Sequence, residues 1–264
     1  MLVAFALAAA SWAPSRGPAL ALPSRAAASR IACPAVLCAA VEGAGAVPRS
    51  FVGTEMRAAA MKLHTRDQAP REGQQPAQTP VSAWEPGKLD YLQFLVDSRA
   101  VYRCFETIVA ESAVLASFRA SGLERGPALD TDIAWFEAEG LTPPDVAAPG
   151  ASYVQLLEGL ARGGELEALV CHFYNHYFAH TAGGIQIGKS MSDKLLGGRT
   201  LEFYRWEGDV KQELLPALRA KIDAMAAGWT REQKDACLAQ TAASFKYSGG
   251  LLGHLRAPAS SRAA

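Results

Sequence analysis

Three histidines recur at four-residue intervals in the stretch CHFYNHYFAHTAGG, residues 171–184. On a helix, His172, His176 and His180 lie along one inclined stripe that drifts by about 40° per step. Imidazoles at positions i and i+4 can chelate one metal ion, so a zinc or diiron site is one hypothesis. However, no acid stands three residues before any of the five histidines, and no HExxH motif occurs. The favoured interpretation of His172 is therefore a hydrogen-bonded packing residue.

The histidine-bearing helix, predicted over residues 168–182, runs directly into Gly183 and Gly184. Each glycine costs about 1 kcal/mol relative to alanine inside a helix. Helical spacing resumes after the pair, with Gly188 as a further gap. We therefore predict that the helix bends at 183–184 and continues. A helix without side chains on one face can lie against a flat ligand such as a porphyrin; the alternative is a helix–helix crossing at glycine.

Beyond the first 50 residues, helical spacing of apolar residues dominates and the alternation typical of strands is almost absent. Capping-box pairs predict helix starts at Ser152, with Gln155, and at Thr230, with Gln233. Prolines spread over residues 70–86 predict an extended connector between the first two helices. With no internal repeat, the sequence predicts a single all-α domain of about seven or eight helices.

Composition excludes several functional classes. The 264 residues are half apolar and carry no net formal charge. Residues 1–50 hold four arginines and one acid, and the remaining 22 bases and 25 acids leave a mildly acidic body, which argues against nucleic acid as a partner. No run of 18 apolar residues occurs, so no membrane span is expected. The five cysteines form no CxxC pair, which favours a reducing compartment.

Residues 1–50 are predicted to be a targeting leader. A short apolar core with an A-x-A-like site at Ala8 and Ala10 indicates a signal peptide over about residues 1–11. The acid-poor segment that follows has the composition of a transit peptide. A signal peptide followed by a transit peptide resembles the bipartite leaders of secondary plastids, in which an aromatic residue follows the cleavage site; here that residue would be Trp12. The alternative is a single mitochondrial or plastid transit peptide. The working domain is expected over 51–258, followed by a disordered tail, 259–264.

The stretch CHFYNHYFAHTAGGIQIGK resembles the distal helix of haem oxygenases, in particular the plastid, plant-type group. EMRAAAMKLHTRDQAPREG is similar to the plant-type proximal helix, and four further segments match in order: YLQFLVDSRAVY, GLERGPALDTDIAWF, LEFYRWEGD and WTREQKDACLAQTAASFKYSGGLL. The resemblance covers about residues 51–255. It implies the helical haem oxygenase-like fold.

On the proximal side, the resemblance implies that His64 is the ligand of the haem iron, carried by the first helix. Gln68, at i+4, is expected to orient the imidazole. The anionic haem propionates are expected to meet Arg57, two turns before His64 on the same face, together with Tyr174 and Lys221, and with Arg219 as a weaker candidate.

On the distal side, His180 matches the residue that organises a water network, and titration near neutral pH would suit a proton relay. Tyr102 matches a tyrosine of the same network. The backbone at Gly183–Gly184 is expected to block most edges of the haem ring. The role of His176 stays open.

Two residues near the end of the domain, Phe245 and Ser248, match pocket residues of the family. Phe245 is expected to form an apolar wall against the haem, with ordinary core packing as the alternative.

The activity implied is oxidation of haem, as both substrate and prosthetic group, by O2 to biliverdin (implied IX-alpha isomer), carbon monoxide and ferrous iron. The resemblance implies reduced ferredoxin as the electron donor. Because no GxGxxG motif occurs, the electrons are expected to come from a partner. A basic patch of Lys189, Lys194 and Arg199 is the candidate docking site for the acidic ferredoxin. We expect a monomer in the plastid stroma, with a downstream bilin reductase as a further candidate partner.

Two alternatives stay open. One is a catalytically silent haem- or tetrapyrrole-binding protein on the same fold, against which the presence of His64 counts, because some family members have lost the proximal histidine. The other is a helical metal-binding, non-haem protein.

Overall fold

The computed structural model describes residues 50–256, and all regular structure in this range is helical. The α-helices are α1 (Arg57–Lys62), α2 (Lys88–Glu111), α3 (Gly126–Ala138), α4 (Ala148–Gly163), α5 (Leu166–Ala179), α6 (Ile185–Leu195), α7 (Leu215–Ala226), α8 (Arg231–Ala239), α9 (Thr241–Leu251) and α10 (Gly253–Arg256). The predicted leader, apart from Ser50, and the predicted tail lie outside the described residues.

Three π-helical turns, Val52–Met56, His180–Gly184 and Val210–Leu214, lead directly into α1, α6 and α7. Joined through these turns, the segments form eight continuous helices of nine or more residues within the described range. This confirms the prediction of an all-α domain. Between residues 50 and 256, no helix has both the length and the apolarity that crossing a bilayer requires.

Helix α2 lies at the centre of the domain and packs against α3, α4, α9 and α10. Helix α5 packs against α4, α8 and α9, and ten of its fourteen residues are buried. The rings of Phe105 on α2 and Phe173 on α5 meet edge to face, with centroids 5.7 Å apart. These two helices therefore carry side chains from distant parts of the sequence into one interior.

The predicted start at Thr230 is confirmed. The Thr230 hydroxyl accepts a hydrogen bond from the Gln233 backbone at 3.3 Å, and the Gln233 side chain accepts one from the Thr230 backbone at 3.0 Å. Each side chain thus satisfies a free N–H group in the first turn of α8.

The predicted start at Ser152 is wrong, because Ser152 lies inside α4, which begins at Ala148. The cap comes from another helix. The buried carboxylate of Asp97 on α2 accepts hydrogen bonds from the backbone of Ala147 at 2.8 Å and of Gly150 at 3.2 Å. A carboxylate also complements the positive end of the helix dipole.

The first helix ends at Lys62, two residues before His64. The chain then folds back on itself, and the backbone of Gln75 donates a hydrogen bond to the His64 carbonyl at 3.0 Å. A Cβ at Gly73 would stand only 2.3 Å from the Thr65 carbonyl oxygen, so this close return requires glycine. His64 therefore lies in the turn after the helix, and the prediction that it is part of the helix is wrong.

Candidate active site

Tyr102 on α2 and His180, the first residue of the π-helical turn after α5, form a buried pair. The Tyr102 hydroxyl lies 2.9 Å from His180 Nδ1. Burial raises the pKa of Tyr102 well above its usual value, so the phenol keeps its proton at physiological pH. The structure thus brings together the two residues that the sequence assigned to one distal network.

An aromatic cage surrounds His180. Its ring stacks on Phe203 with centroids 4.0 Å apart, and the rings of Trp206 and Tyr204 lie at 5.1 Å and 5.4 Å. His180 Nε2 and Trp206 Nε1 are both buried and have no hydrogen-bond partner among the described residues. Two polar atoms in this cage are therefore available to a ligand or to water.

His180 does not titrate near neutral pH in this fold. Burial is the largest cause that lowers its pKa well below the usual 6.5, and electrostatic interactions with His176 and Arg125 act in the same direction. The expectation of a histidine that charges near pH 7 is wrong here, because no bulk water solvates the imidazolium. His180 is a neutral hydrogen-bonding group.

Two residues that the sequence reasoning missed hold the cage in place. Buried Asp132 on α3 accepts hydrogen bonds from the backbone of Glu202 at 2.8 Å and of Phe203 at 2.7 Å, which fixes Phe203 against His180. The Arg125 guanidinium lies over the Trp206 ring at 4.9 Å. The aromatic cluster in LEFYRWEGD, which the sequence shows, was the available signal for this segment.

The other two histidines of the stripe each bond a different hydroxyl. His172 Nδ1 lies 3.1 Å from the Tyr153 hydroxyl, and His176 Nδ1 lies 3.0 Å from Ser248 Oγ. Burial is the main reason that their pKa values fall to about 4 and about 3. The hydrogen-bonded role predicted for His172 is confirmed. Within residues 50–256, no group of three or more His, Cys, Asp or Glu side chains could hold a metal ion.

The helix passes through Gly183 and Gly184 without a break, as a wider π-helical turn in the place where the bend was predicted. A Cβ built on Gly183 would meet no atom within 4 Å, whereas one on Gly188 would stand 2.5 Å from the Tyr204 ring. Glycine therefore stands at positions 183 and 188 for different reasons. Gly188 allows Tyr204 to pack closely, and Gly183 leaves an exposed, open backbone face.

His64 presents one free nitrogen. Its Nδ1 lies 2.9 Å from the carbonyl oxygen of Ala60. Because a carbonyl only accepts, Nδ1 carries a proton, and in the uncharged imidazole the lone pair is therefore on Nε2. The edge of His64 meets the Phe245 ring, with centroids 5.4 Å apart. A half-buried imidazole whose Nε2 has no hydrogen-bond partner within residues 50–256 is the kind of axial ligand that haem iron takes.

Gln68 does not orient His64, and this prediction is wrong. Its side-chain oxygen accepts a hydrogen bond from the Thr65 backbone at 3.0 Å. The i+4 argument assumed a helix that continues past His64, but the helix has already ended at Lys62. The Ala60 carbonyl takes the orienting role instead.

The residues predicted to contact the haem propionates differ in whether they already have partners. Arg57 pairs with Glu72 at 2.8 Å and 3.2 Å, and this hydrogen bonding raises the pKa of Arg57. Burial raises the pKa of Tyr174, while the positive charges of Arg219 and Arg57 oppose that rise. Lys221 is half-buried on α7 and has no hydrogen-bond or ion-pair partner among the described residues. Arg57 and His64 do not share a helical face, because α1 ends between them.

The three basic residues predicted to bind ferredoxin already make contacts within the domain. Lys189 pairs with Asp193 at 2.7 Å, and Lys194 donates to the carbonyls of Ser82 and Trp84. The third member, Arg199, lies over the Trp135 ring at 4.6 Å. These contacts give no support to that patch as a docking site.

Comparisons with known proteins identify relatives of this chain. No protein-family model matches the chain. The chain is 51% identical over 203 residues to "Heme oxygenase 1, chloroplastic" of Oryza sativa subsp. japonica, which covers 76% of this chain and 70% of that relative. It is 41% identical over 171 residues to "Probable inactive heme oxygenase 2, chloroplastic" of Arabidopsis thaliana, with 64% and 56% covered.

Among solved structures, heme oxygenase 2 from Chlamydomonas reinhardtii without heme matches with a TM-score of 0.53 and 18% identity, covering 80% of this chain and 91% of that one. At this identity the match shows the fold alone. The sequence identity to the rice protein, over most of both chains, shows the family. The chain belongs to the haem oxygenase family of enzymes.

Proposed function

We propose that this chain oxidises haem with O2 to biliverdin IX-alpha, carbon monoxide and ferrous iron in the plastid stroma, with reduced ferredoxin as electron donor. The observation that carries the proposal is His64, whose Nδ1 is fixed by Ala60 and whose Nε2 is free. The rice relative is named a chloroplastic haem oxygenase, which supports the substrate and the compartment. The lack of a dinucleotide-binding GxGxxG motif supports an external donor.

The residues present fit a haem. His64 offers a nitrogen lone pair, and Phe245 offers an apolar ring beside it. The exposed backbone at Gly183 leaves room for a flat group. Arg57 and Tyr174 supply a cation and a hydroxyl for the anionic propionates, with Lys221 as the second cation.

When bound, haem supplies the iron that activates O2 and the ring that is opened. His64 would hold the iron through Nε2, and its hydrogen bond to Ala60 would keep the imidazole in the correct tautomer. Arg57 would exchange the Glu72 carboxylate for a propionate, which is an exchange of one exposed ion pair for another. The Tyr174 hydroxyl would donate a hydrogen bond at the same rim.

Tyr102 and His180 would supply the distal hydrogen bonds as neutral groups. If the Tyr102 hydroxyl donates to Nδ1, its own proton is satisfied, and the imidazole proton then stands on Nε2. Nε2 is the atom without a protein partner, so its N–H is the donor that the chain offers to a bound ligand. The cage of Phe203 and Trp206 excludes bulk water from this donor.

The test loads the purified full chain with haemin and supplies reduced ferredoxin under air while the absorption spectrum is followed. We expect a Soret band that decays into the broad red absorption of biliverdin, and chromatography against the four isomers checks the IX-alpha assignment. His64→Ala is expected to lose the Soret band of the ligated haem, and added imidazole is expected to restore it. Gln68→Ala is the control and is expected to keep the band, because Gln68 does not contact His64.

Each other outcome contradicts a defined part of the proposal. A Soret band that persists with reduced ferredoxin identifies a silent haem-binding protein, like the relative named probable inactive. The absence of any band on loading refutes the haem site itself. Equal loss of the band in both variants refutes the assignment of His64.

A further inference from the structure

A cavity of about 220 Å³ lies between the end of α2, the segment 118–124 and α5. Its apolar walls include Val109, Phe118 and Phe173, and none of the residues that line it is assigned to the haem site. An apolar cavity of about 150 Å³ is large enough to hold benzene. This cavity therefore has room for a small organic molecule.

Two glutamates line the cavity, and each uses one carboxylate oxygen within the domain. Glu106 Oε1 accepts hydrogen bonds from the backbones of Arg125 and Gly126, both at 2.8 Å. Glu124 Oε1 accepts one from the Ser121 backbone at 2.7 Å and one from the Ser121 hydroxyl at 3.0 Å. Within residues 50–256, neither glutamate has an ion pair, and Oε2 of each has no hydrogen-bond partner. Both carboxylates can therefore accept further hydrogen bonds.

The arginines of this region are engaged elsewhere. Arg119, which lines the cavity, donates to two backbone carbonyls at the end of α2, both at 3.1 Å. Arg103 pairs with Asp130, and the Arg125 guanidinium lies over the Trp206 ring. The side chains that line the cavity thus carry the two negative charges of the glutamates and the one positive charge of Arg119. This excess of negative charge favours a cation.

Tyr177 on α5 also lines the cavity, and its side chain is only 2% exposed. Its hydroxyl has no hydrogen-bond partner among the described residues. Burial is the largest cause that raises the pKa of Tyr177 well above its usual value, and interactions with Tyr102, Glu106 and Glu124 act in the same direction. The phenol is therefore neutral. A buried hydroxyl without a partner costs free energy, and a ligand that bonds to it removes that cost.

We propose that this cavity binds a small alkylammonium ion. An ammonium group has three N–H donors and no acceptor. Glu106, Glu124 and Tyr177 offer three acceptor oxygens, and Phe118 and Phe173 offer apolar rings to the alkyl chain. Aromatic faces also attract cations. A free amine and a lysine side chain share this chemistry.

The site lies one aromatic ring away from the distal pair. The Tyr177 ring meets Tyr102 edge to face with centroids 5.1 Å apart, and the Tyr102 hydroxyl lies 2.9 Å from His180 Nδ1. Binding of the cation itself requires no haem. The test therefore uses the haem-free chain, and failure here is distinguishable from failure of the proposed function.

The test titrates the haem-free full chain with n-butylammonium chloride in a calorimeter at constant ionic strength. We expect one saturable site below about 10 mM. Neutral n-butanol and anionic butyrate match the probe in shape and are not expected to saturate in this range. N-acetyl-lysine methylamide carries the same butylammonium group on a peptide backbone. If it binds as tightly as n-butylammonium, the site takes lysine side chains; if it binds more weakly, the site takes free amines.

Tyr177→Phe keeps the ring and removes only the hydroxyl without a partner. We expect it to bind n-butylammonium about tenfold more weakly, with an unchanged or higher midpoint of urea unfolding. Glu124→Gln keeps an acceptor for Ser121 and removes the charge, and it should also weaken binding by about tenfold or more. Glu137→Gln, at an exposed position of α3 outside the cavity, is the matched control and should bind as wild type does.

The proposal is overturned if n-butylammonium does not saturate by about 10 mM, or if n-butanol or butyrate binds as tightly. Unchanged affinity in both Tyr177→Phe and Glu124→Gln also overturns it. The comparison of the three probes on the wild-type chain decides the matter even if a variant does not fold.

Discussion

Acid should unfold this protein at an unusually mild pH, because three neutral histidines are buried along α5 and at the start of the π-helical turn that follows it. The pKa of His172 falls to about 4, that of His176 to about 3, and that of His180 lies well below 6.5. In the unfolded chain each histidine titrates near 6.5. The native state thus binds fewer protons than the unfolded state over this range. Their contribution to stability is fully present above about pH 6.5 and is lost as the pH falls below it.

The size of the effect follows from the linkage relation. One pKa unit corresponds to about 1.4 kcal/mol, so at pH 5, about 1.5 units below the unfolded value, each histidine lowers the free energy of unfolding by about 2 kcal/mol. The three together lower it by about 6 kcal/mol. A domain of ordinary stability has only about 5–15 kcal/mol in total. We therefore expect the haem-free chain to be near its unfolding transition at pH 5.

The assay is urea unfolding of the haem-free chain, followed by tryptophan fluorescence at several pH values between about 5 and 8. Between about pH 5.5 and 5, the slope of the unfolding free energy should correspond to the uptake of nearly three protons from these histidines. His176→Gln removes one of them, and its side chain can still bond Ser248. This variant should lower the slope by about one proton, whatever its stability at pH 8. A wild-type slope below one proton, or an unchanged slope in the variant, would refute the reasoning.

Two further predictions use matched variants. Gly183→Ala should leave the unfolding midpoint unchanged or higher, since helical alanine is favoured by about 1 kcal/mol, but it should weaken haem binding in a haemin titration. Gly188→Ala should lose about 1–3 kcal/mol in urea unfolding, since its Cβ would overlap the Tyr204 ring. If Gly183→Ala and Gly188→Ala changed the free energy of unfolding equally, the different roles assigned to the two glycines would be contradicted. Asp97 also lies 2.9 Å from Nε2 of buried His254, so Asp97→Ala should cost about 3–5 kcal/mol in the unfolding free energy, since it leaves the start of α4 uncapped and His254 unpaired. Asp130→Ala, at an exposed ion pair, should cost under about 1 kcal/mol in the same assay.

Local sequence was sufficient for features that depend on nearby residues. Apolar spacing identified the helices, because a helix that buries one face repeats its apolar residues every 3.6 positions. The start of α8 at Thr230 was predictable, since both capping partners lie within four residues. The pairing of Tyr102 with His180 was also anticipated, but only through resemblance to a family, since 78 positions separate the two residues.

Features that depend on distant residues were not predictable from local pattern. The start of α4 was missed because its cap, Asp97, comes from another helix. Gln68 was misassigned because the helix ends at Lys62, where the chain turns back toward Gln75.

What the sequence by itself determined is the helical class, the family and the residue types of the site. The tertiary structure alone decided the electrostatic state of that site and the partners of its side chains. A histidine has the same chemistry anywhere in a sequence, but His180 stays neutral only where Phe203 and Trp206 exclude water from it. Burial and long-range contact change the free energies of charged and polar groups, and neither is encoded in the spacing of residues along the chain.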